Sequence, residues 1–143
     1  MAITQGMANS FKVQLLSGTQ NFNSDTFLLA LYTSSATLGE TTTAYTTSGE
    51  CPSTGNYTAG GNTLTVNVTP TNTGNVAYVS FANTSWTNAT ITANGALIYN
   101  SSRSNAAVAI LAFGGDKTST NGTFAVNFPT ADATSAIIRL TAS

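Results

Sequence analysis

The chain has 143 residues, of which 41% are hydrophobic and only 6% are charged, and its formal net charge is −1 at neutral pH. This composition disfavours intrinsic disorder, because disordered chains combine low hydrophobicity with many charges. Nucleic-acid binding is disfavoured because the basic residues are few and scattered: Lys12, Arg103, Lys117 and Arg139. A membrane-spanning helix is disfavoured because the longest apolar run, 106–113, covers less than half of a span.

The shortage of charge predicts a protein that packs against neighbours. A folded chain of this size exposes on the order of 7,000 Å², which five acidic and four basic side chains cannot cover. A nearly neutral surface repels its neighbours weakly and so favours association. The single cysteine, Cys51, excludes an intrachain disulfide and is expected to be an unpaired thiol in a loop before Pro52.

One helix is predicted near the start of the chain, over residues 7–16. Asn9 or Ser10 would cap its first turn, and Gly18 stands where a left-handed C-cap is expected. A helix this short is marginal alone and must dock on the rest of the fold. Its apolar face is expected to carry Met7, Phe11 and Leu15, widened by Val13 and Leu16.

Seven to nine short strands are predicted after the helix, separated by turn signals. The expected strands are 26–32, 44–47, 63–69, 76–81, 85–92, 96–99, 106–113, 124–128 and 136–140. Loops or turns are expected at 33–38, 71–75, 94–95 and 114–122, and a long exposed loop at 49–61.

This pattern is typical of an all-β, antiparallel β-sandwich or jelly-roll-like fold. No linker or internal repeat divides the chain, so residues 1–143 are interpreted as a single domain, with residues 1–18 forming an N-terminal arm and helix that pack on it. The side chains expected to face the core are Leu29, Val66, Phe81, Trp86, Ile98, Ile110, Phe124 and Ile138.

No catalytic, cofactor-binding or metal site is predicted, and the chain is interpreted as a non-enzyme. It contains no histidine, which excludes a Ser-His-Asp triad, a Cys-His dyad and any zinc site with imidazole ligands. The acidic residues are separated by ten or more positions and have no motif around them: Asp25, Glu40, Glu50, Asp116 and Asp132.

A sugar-binding site is the main chemical alternative. Sugar sites often combine an exposed aromatic ring with amide side chains, and this chain offers Trp86, Tyr57 and Tyr45 near Asn83 and Asn88. The preferred interpretation is that Trp86 fills the core, as a lone tryptophan in a small β domain usually does.

Six segments in a fixed order carry a resemblance that runs nearly end to end. They are 10–18 (SFKVQLLSG), 25–33 (DTFLLALYT), 57–61 (YTAGG), 86–100 (WTNATITANGALIYN), 107–114 (AVAILAFG) and 116–124 (DKTSTNGTF). In these segments the chain resembles a group of short structural proteins of bacteriophages, notably phages of cyanobacteria and marine bacteria. Each segment alone is weak, whereas their order is specific.

The resemblance implies a virion component without catalytic residues, made in the host cytoplasm. The first expectation is a capsid cement or decoration protein that binds the outer surface of the major capsid protein shell and stabilises it. The alternatives are a tail or fibre component, including a receptor-binding head, and a carbohydrate-binding module of a bacterial surface protein. Self-association is also expected, with a trimer as the first guess.

The residues expected to contact a partner come from three places. The arm before the helix supplies Ile3 and Thr4, and the 49–61 loop supplies Tyr57. Arg139 stands among Ile137, Ile138 and Leu140, so it either points outward on an alternating strand or meets a partner.

Overall fold

Residues 2–141, described by a computed structural model, form eight β-strands, one α-helix and a short 3-10 helix. The strands are β1 (Gly6–Met7), β2 (Phe27–Tyr32), β3 (Asn62–Thr63), β4 (Val66–Thr73), β5 (Val76–Phe81), β6 (Thr84–Asn100), β7 (Ala106–Val126) and β8 (Ile138–Thr141). Helix α1 spans Asn9–Leu16, and the 3-10 helix Ser101–Arg103 connects β6 to β7.

The strands form two antiparallel sheets over one hydrophobic cluster. The larger sheet has the order β1-β7-β6-β2-β3 and the smaller one has the order β4-β5-β8. A group of phenylalanines connects α1, β2 and β5. The Phe22 ring packs edge-on against Phe11 of α1 at 5.9 Å and stacks on Phe27 at 4.6 Å, and the ring centroids of Phe27 and Phe81 lie 5.8 Å apart. The prediction of an all-β sandwich with a short N-terminal helix is confirmed.

The predicted core is confirmed at seven of its eight positions, since only Val66 is half-buried. Val66 belongs to β4, an edge strand whose side chains are mostly exposed. The buried members are Leu29, Phe81, Trp86, Ile98, Ile110, Phe124 and Ile138.

The helix begins two residues later than predicted, and its apolar face is narrower: Phe11 is buried and Leu15 packs against the core, whereas Val13 and Leu16 are exposed. Met7 lies in β1, where it pairs with Ala109 of β7, so the preceding chain is extended rather than helical. The N-cap is Ala8, with no side-chain hydrogen bond, so neither predicted cap is used. At the other end the prediction holds, because Gly18 has φ +75° and its N–H donates to the Leu15 carbonyl.

The turn predicted at Asn94-Gly95 is wrong, because both residues lie inside β6. Gly95 is needed there for a close approach: a Cβ on it would lie 2.5 Å from the Leu111 carbonyl oxygen and 2.7 Å from Ile3 Cγ2. A glycine signal in the sequence does not distinguish this use from a turn.

The turn predicted at 114–122 is also wrong, because β7 continues through it as a bulged strand. Ala93 pairs with Lys117 and Gly95 with Ala112, so residues 113–116 all lie opposite Asn94. Gly114 (φ +77°) and Gly115 (φ +151°) adopt the left-handed backbone that forms this bulge. The chain bends here without reversing.

Smaller differences concern the weaker strands. The predicted 44–47 strand is reduced to a single bridge between Ala44 and Ala106. The predicted 63–69 strand is divided, because Thr63 ends β3 and β4 begins at Val66. Strand β4 continues through the expected 71–75 turn to Thr73, so the hairpin turns at Gly74 and Asn75.

The depth of the core gives the first prediction. Ile110 is fully buried in β7, so Ile110→Ala should lower the free energy of unfolding by about 2–5 kcal/mol through lost burial and a residual cavity. Val13, 65% exposed, provides the control, because Val13→Ala should change it by less than about 0.5 kcal/mol. Urea unfolding followed by circular dichroism measures both; equal effects would contradict the packing described here.

Candidate interaction surface

The 49–61 loop covers one edge of β6. Strand β2 pairs only with residues 95–100 of β6. The carbonyl groups in the first half of β6 therefore have no neighbouring strand on that side. The loop supplies donors instead: Thr54 Oγ1 donates to the Thr90 carbonyl at 2.6 Å, and Cys51 Sγ to the Thr92 carbonyl at 3.4 Å. The segment is therefore hydrogen-bonded to β6 and covers its edge, and it is not the freely exposed loop that was predicted.

Two glycines allow the loop to lie directly on the sheet. A Cβ on Gly55 would lie 1.8 Å from the Asn88 carbonyl oxygen, and one on Gly61 would lie 1.8 Å from the Leu29 carbonyl oxygen. Both residues have positive φ values, +55° and +84°. Any larger residue at either place would push the loop off β6 or β2.

Glu50 fastens the loop through a group of tyrosines. Its carboxylate accepts hydrogen bonds from the Tyr45 hydroxyl at 2.5 Å, the Tyr57 hydroxyl at 2.8 Å and the Gly60 N–H at 2.6 Å. The Tyr57 hydroxyl also accepts from the Leu31 N–H of β2. The Tyr99 hydroxyl donates to the Gly60 carbonyl at 2.6 Å, so the network connects the loop to two strands.

Burial keeps the tyrosine hydroxyls of this network protonated. Burial, together with the nearby Glu50 charge, raises the pKa of the Tyr45 and Tyr57 hydroxyls well above the ordinary value of 10.0. Burial and the charges of Glu50 and Asp116 raise the pKa of the Cys51 thiol to about 12. Cys51 is therefore a protonated, buried thiol at neutral pH and not an activated nucleophile.

The predicted contact at Tyr57 is wrong, because only 1% of that residue is exposed. The same burial removes Tyr57 and Trp86 as exposed rings of the sugar-binding alternative, and its third ring, Tyr45, is half-buried and stacks on Tyr99 at 4.7 Å. Trp86 is 2% exposed, with its ring packed against Tyr57 at 5.4 Å and against Phe124 at 6.4 Å. The interpretation that Trp86 fills the core is confirmed.

The other predicted contact residues lie on two different elements, the N-terminal arm and β8. Ile3 is half-buried and pairs with Leu38, and Thr4 is exposed beside it, its N–H bound to the Leu38 carbonyl. Arg139 is exposed on β8, between Ile138 and Leu140, which both face a groove on the opposite side of the strand. Among residues 2–141 no acidic side chain forms an ion pair with Arg139.

Each carboxylate has a local partner of its own. Asp132 accepts from the Thr134 and Ser135 N–H groups, Asp116 from Asn94 Nδ2, and Glu40 lies 3.8 Å from the exposed Lys12 ammonium. Within the described ranges no cluster of three or more His, Cys, Asp and Glu side chains could hold a metal ion. The helices of residues 2–141 include none long and apolar enough to cross a membrane.

Asp25 holds the start of β2 to the β6–β7 connection. Its carboxyl is 4% exposed and accepts from Arg103 Nε at 3.0 Å and from Asn100 Nδ2 at 2.8 Å. Burial raises the pKa of this carboxyl, but the hydrogen bonds from Arg103, Asn100 and the Asn21 N–H, with the Arg103 charge, outweigh it, so the pKa is lowered. The carboxylate is therefore charged and structurally engaged at neutral pH.

Large apolar side chains are exposed at the end of α1 and on β8, at the edge of the smaller sheet. Among the described residues only three large hydrophobic side chains are exposed: Val13 at 65%, Leu16 at 92% and Leu140 at 49%. Leu140 also lines a groove of about 290 Å³ between the helix end, with Leu15, and the smaller sheet, with Val79. We call Val13, Leu16, Leu140 and this groove the α1–β8 patch.

The α1–β8 patch was not anticipated from the sequence. Periodicity placed Val13 and Leu16 on the buried face, whereas the helix buries the side of Phe11 and leaves them in water. The sequence did contain a signal for this exposure: α1 has more apolar residues than one face of two helical turns can bury. Exposed apolar groups of this kind on a nearly neutral surface are typical of a protein interface.

The Asp25 network gives a prediction with a defined pH dependence. Because the pKa of Asp25 is lower in the folded chain than its ordinary value of 3.8, its stabilisation is present above that value and lost as the pH falls through the folded-state value. The difference in free energy of unfolding between the wild type and Asp25→Asn should be constant near neutral pH and should shrink in acid. Urea unfolding between about pH 2 and 7 measures it; a difference that persists at the acid limit would contradict the assignment.

Comparison with known proteins gives no further support. No protein-family model, curated protein or solved structure significantly matches this chain. The resemblance to bacteriophage structural proteins remains a hypothesis from the sequence.

Proposed function

We propose that this chain is a structural subunit of a bacteriophage particle, a cement or decoration protein that binds the outer surface of the major capsid protein shell. Its role is mechanical: it bridges neighbouring capsid subunits and so resists the pressure of the packaged DNA. The ordered sequence segments that resemble phage structural proteins support the class. The α1–β8 patch supports the adhesive role.

The observation that carries the adhesive role is the exposure of Leu16, at 92%, beside an apolar groove. Side chains left in water contribute nothing to the stability of the isolated chain. Burying Leu16 or Val13 against another protein would each contribute about 1.5–3 kcal/mol. With nine ionic side chains on a surface of 7012 Å², the chain meets a partner with little electrostatic repulsion.

The loops outside the α1–β8 patch are fixed by hydrogen bonds, which is suited to a subunit that bears mechanical load. The 49–61 segment of the β2–β3 connection is fixed to β6 and to the Glu50–tyrosine network, and the loop before β2 is held by Asp25. A rigid subunit loses little conformational freedom on docking, so more of the contact energy remains for binding. Many equivalent copies on one shell make the attachment multivalent, and modest single contacts then suffice.

The copy number in purified particles tests this function. A cement protein should be present at roughly hundreds of copies per particle, because it follows the repeating shell lattice. Quantitative mass spectrometry against the major capsid protein measures the ratio. About six to a few dozen copies would instead place the chain in the tail, and absence from particles would overturn the proposal.

The chemistry of attachment gives a second prediction. Retention on capsids should be nearly unchanged in molar sodium chloride, which shortens the Debye length to about 3 Å, whereas moderate urea should strip the protein. Leu16→Asn should lower retention without changing the urea midpoint of the isolated chain, since Leu16 is 92% exposed. The protein left with sedimented particles measures retention.

Arg139→Gln is the matched control, because Arg139 lies on the opposite face of β8 from the groove. It should retain the wild-type level. Release by salt alone, or loss of retention by Arg139→Gln but not by Leu16→Asn, would show that charge carries the attachment.

A further inference from the structure

Strand β7 bends at its bulge, and a pocket lies against the bend. Residues 113–116 lie opposite the single residue Asn94 of β6, and the ring centroids of Phe113 and Phe124 meet at 6.3 Å across the bent strand. The pocket has a volume of about 520 Å³, within the range of about 300–1,000 Å³ that is common for sites of small molecules. We call it the β7 pocket; it is lined by residues 111–113, 117–118 and 123–129 with Gln5 and Ile137.

The walls of the β7 pocket are apolar and only partly covered. Phe113, Phe128 and Ile137 line it, and each of them packs against the hydrophobic cluster while remaining half-buried. The buried apolar residues of the lining are Leu111, Phe124 and Val126. The two half-buried phenylalanine rings therefore present apolar surface to the pocket, and such rings pack favourably against the ring of a ligand.

One lysine faces this pocket from the core side of the larger sheet. In the pairing of β6 with β7, Lys117 lies directly opposite Ala93, which is 0% exposed. Residues directly opposite each other share a face of the sheet, so Lys117 is on the face that the core covers elsewhere. Lys117 is nevertheless exposed, and it lines the pocket.

The charge of Lys117 is unpaired. Within the described residues no carboxylate lines the pocket or lies within ion-pair distance of Lys117. The neighbouring Asp116 accepts instead from Asn94 Nδ2 at 3.0 Å. Gln5 Oε1 accepts from the Ala112 N–H at 3.2 Å, so its amide nitrogen is the part of that side chain left to donate. A cation beside apolar walls and without an anion is complemented by a carboxylate.

We propose that the β7 pocket binds a small amphipathic anion, a molecule with one carboxylate and an aromatic body. The carboxylate pairs with the Lys117 ammonium, a compact point charge suited to a single anionic group. The aromatic body lies against the rings of Phe113 and Phe128. This site is contained within one chain and needs no capsid, so it goes beyond the proposed particle role.

The groove of the α1–β8 patch provides a contrast within the same chain. It is also apolar, but none of the described residues that line it is charged. An aromatic molecule that entered this groove would gain nothing from carrying a carboxylate. Preference for an anion over its neutral analogue therefore distinguishes the β7 pocket from the groove.

Binding of 2-naphthoate to the full chain, measured by isothermal titration calorimetry, tests the proposal. The wild type should bind it with a Kd at or below about 1 mM, and should bind 2-naphthalenemethanol, which has the same rings without the charge, roughly tenfold more weakly. Lys117→Gln should weaken binding of 2-naphthoate roughly tenfold and leave binding of the alcohol unchanged. Because Lys117 is exposed, circular dichroism should show an intact fold.

Lys12→Gln is the matched control, because Lys12 is exposed on α1 and does not line the pocket; it should bind 2-naphthoate as the wild type does. Amide chemical shifts locate the ligand, and the largest changes should fall at residues 111–113 and 123–128. Absence of binding, equal affinity of the wild type and Lys117→Gln for 2-naphthoate, or shifts confined to the α1–β8 groove would each overturn the proposal. Retention on capsids is measured separately, on particles, so these outcomes leave the proposed function untouched.

Discussion

The fold depends on hydrogen bonding along both edges of β6. This strand pairs with β7 along one edge, but β2 reaches only residues 95–100 on the other. Buried backbone groups without partners would cost about 1–3 kcal/mol each. The 49–61 loop prevents this with side-chain donors, and Glu50 with its tyrosines holds the loop in place. Burial of Trp86 and Tyr57 follows from the same cover.

The sequence predicted the parts of the fold that depend on local apolar patterns. The continuous run at 26–32 and the alternation at 76–81 correspond to β2 and β5 almost residue for residue. It did not predict the parts that depend on distant contacts. Asn94-Gly95 and 114–122 carry turn signals, yet in the three-dimensional structure the glycines serve a close approach and a bulge. Local composition cannot separate these uses, because the partner strand decides them.

The candidate interaction surface also depends on distant contacts that the sequence did not predict. Charge scarcity directed attention to neutral contacts, which stay a prediction, but the named residues do not form a common surface: Tyr57 is buried, and Ile3 and Thr4 lie in the N-terminal arm whereas Arg139 lies on β8. The exposed Val13 and Leu16 were assigned to the core, because periodicity gives the spacing of apolar residues and not the width of the face that the sheet can cover.

The bulge in β7 gives this chain a place that can accept extra sequence. Around Gly114 and Gly115 no atom lies within 4 Å of an added Cβ, whereas at Gly55 and Gly61 an added Cβ would collide with backbone. Insertions are tolerated where the affected backbone is neither buried nor hydrogen-bonded to distant segments. A peptide grafted between Gly114 and Gly115 would therefore be displayed outward. The same peptide grafted into the 49–61 loop would displace that loop from the edge of β6.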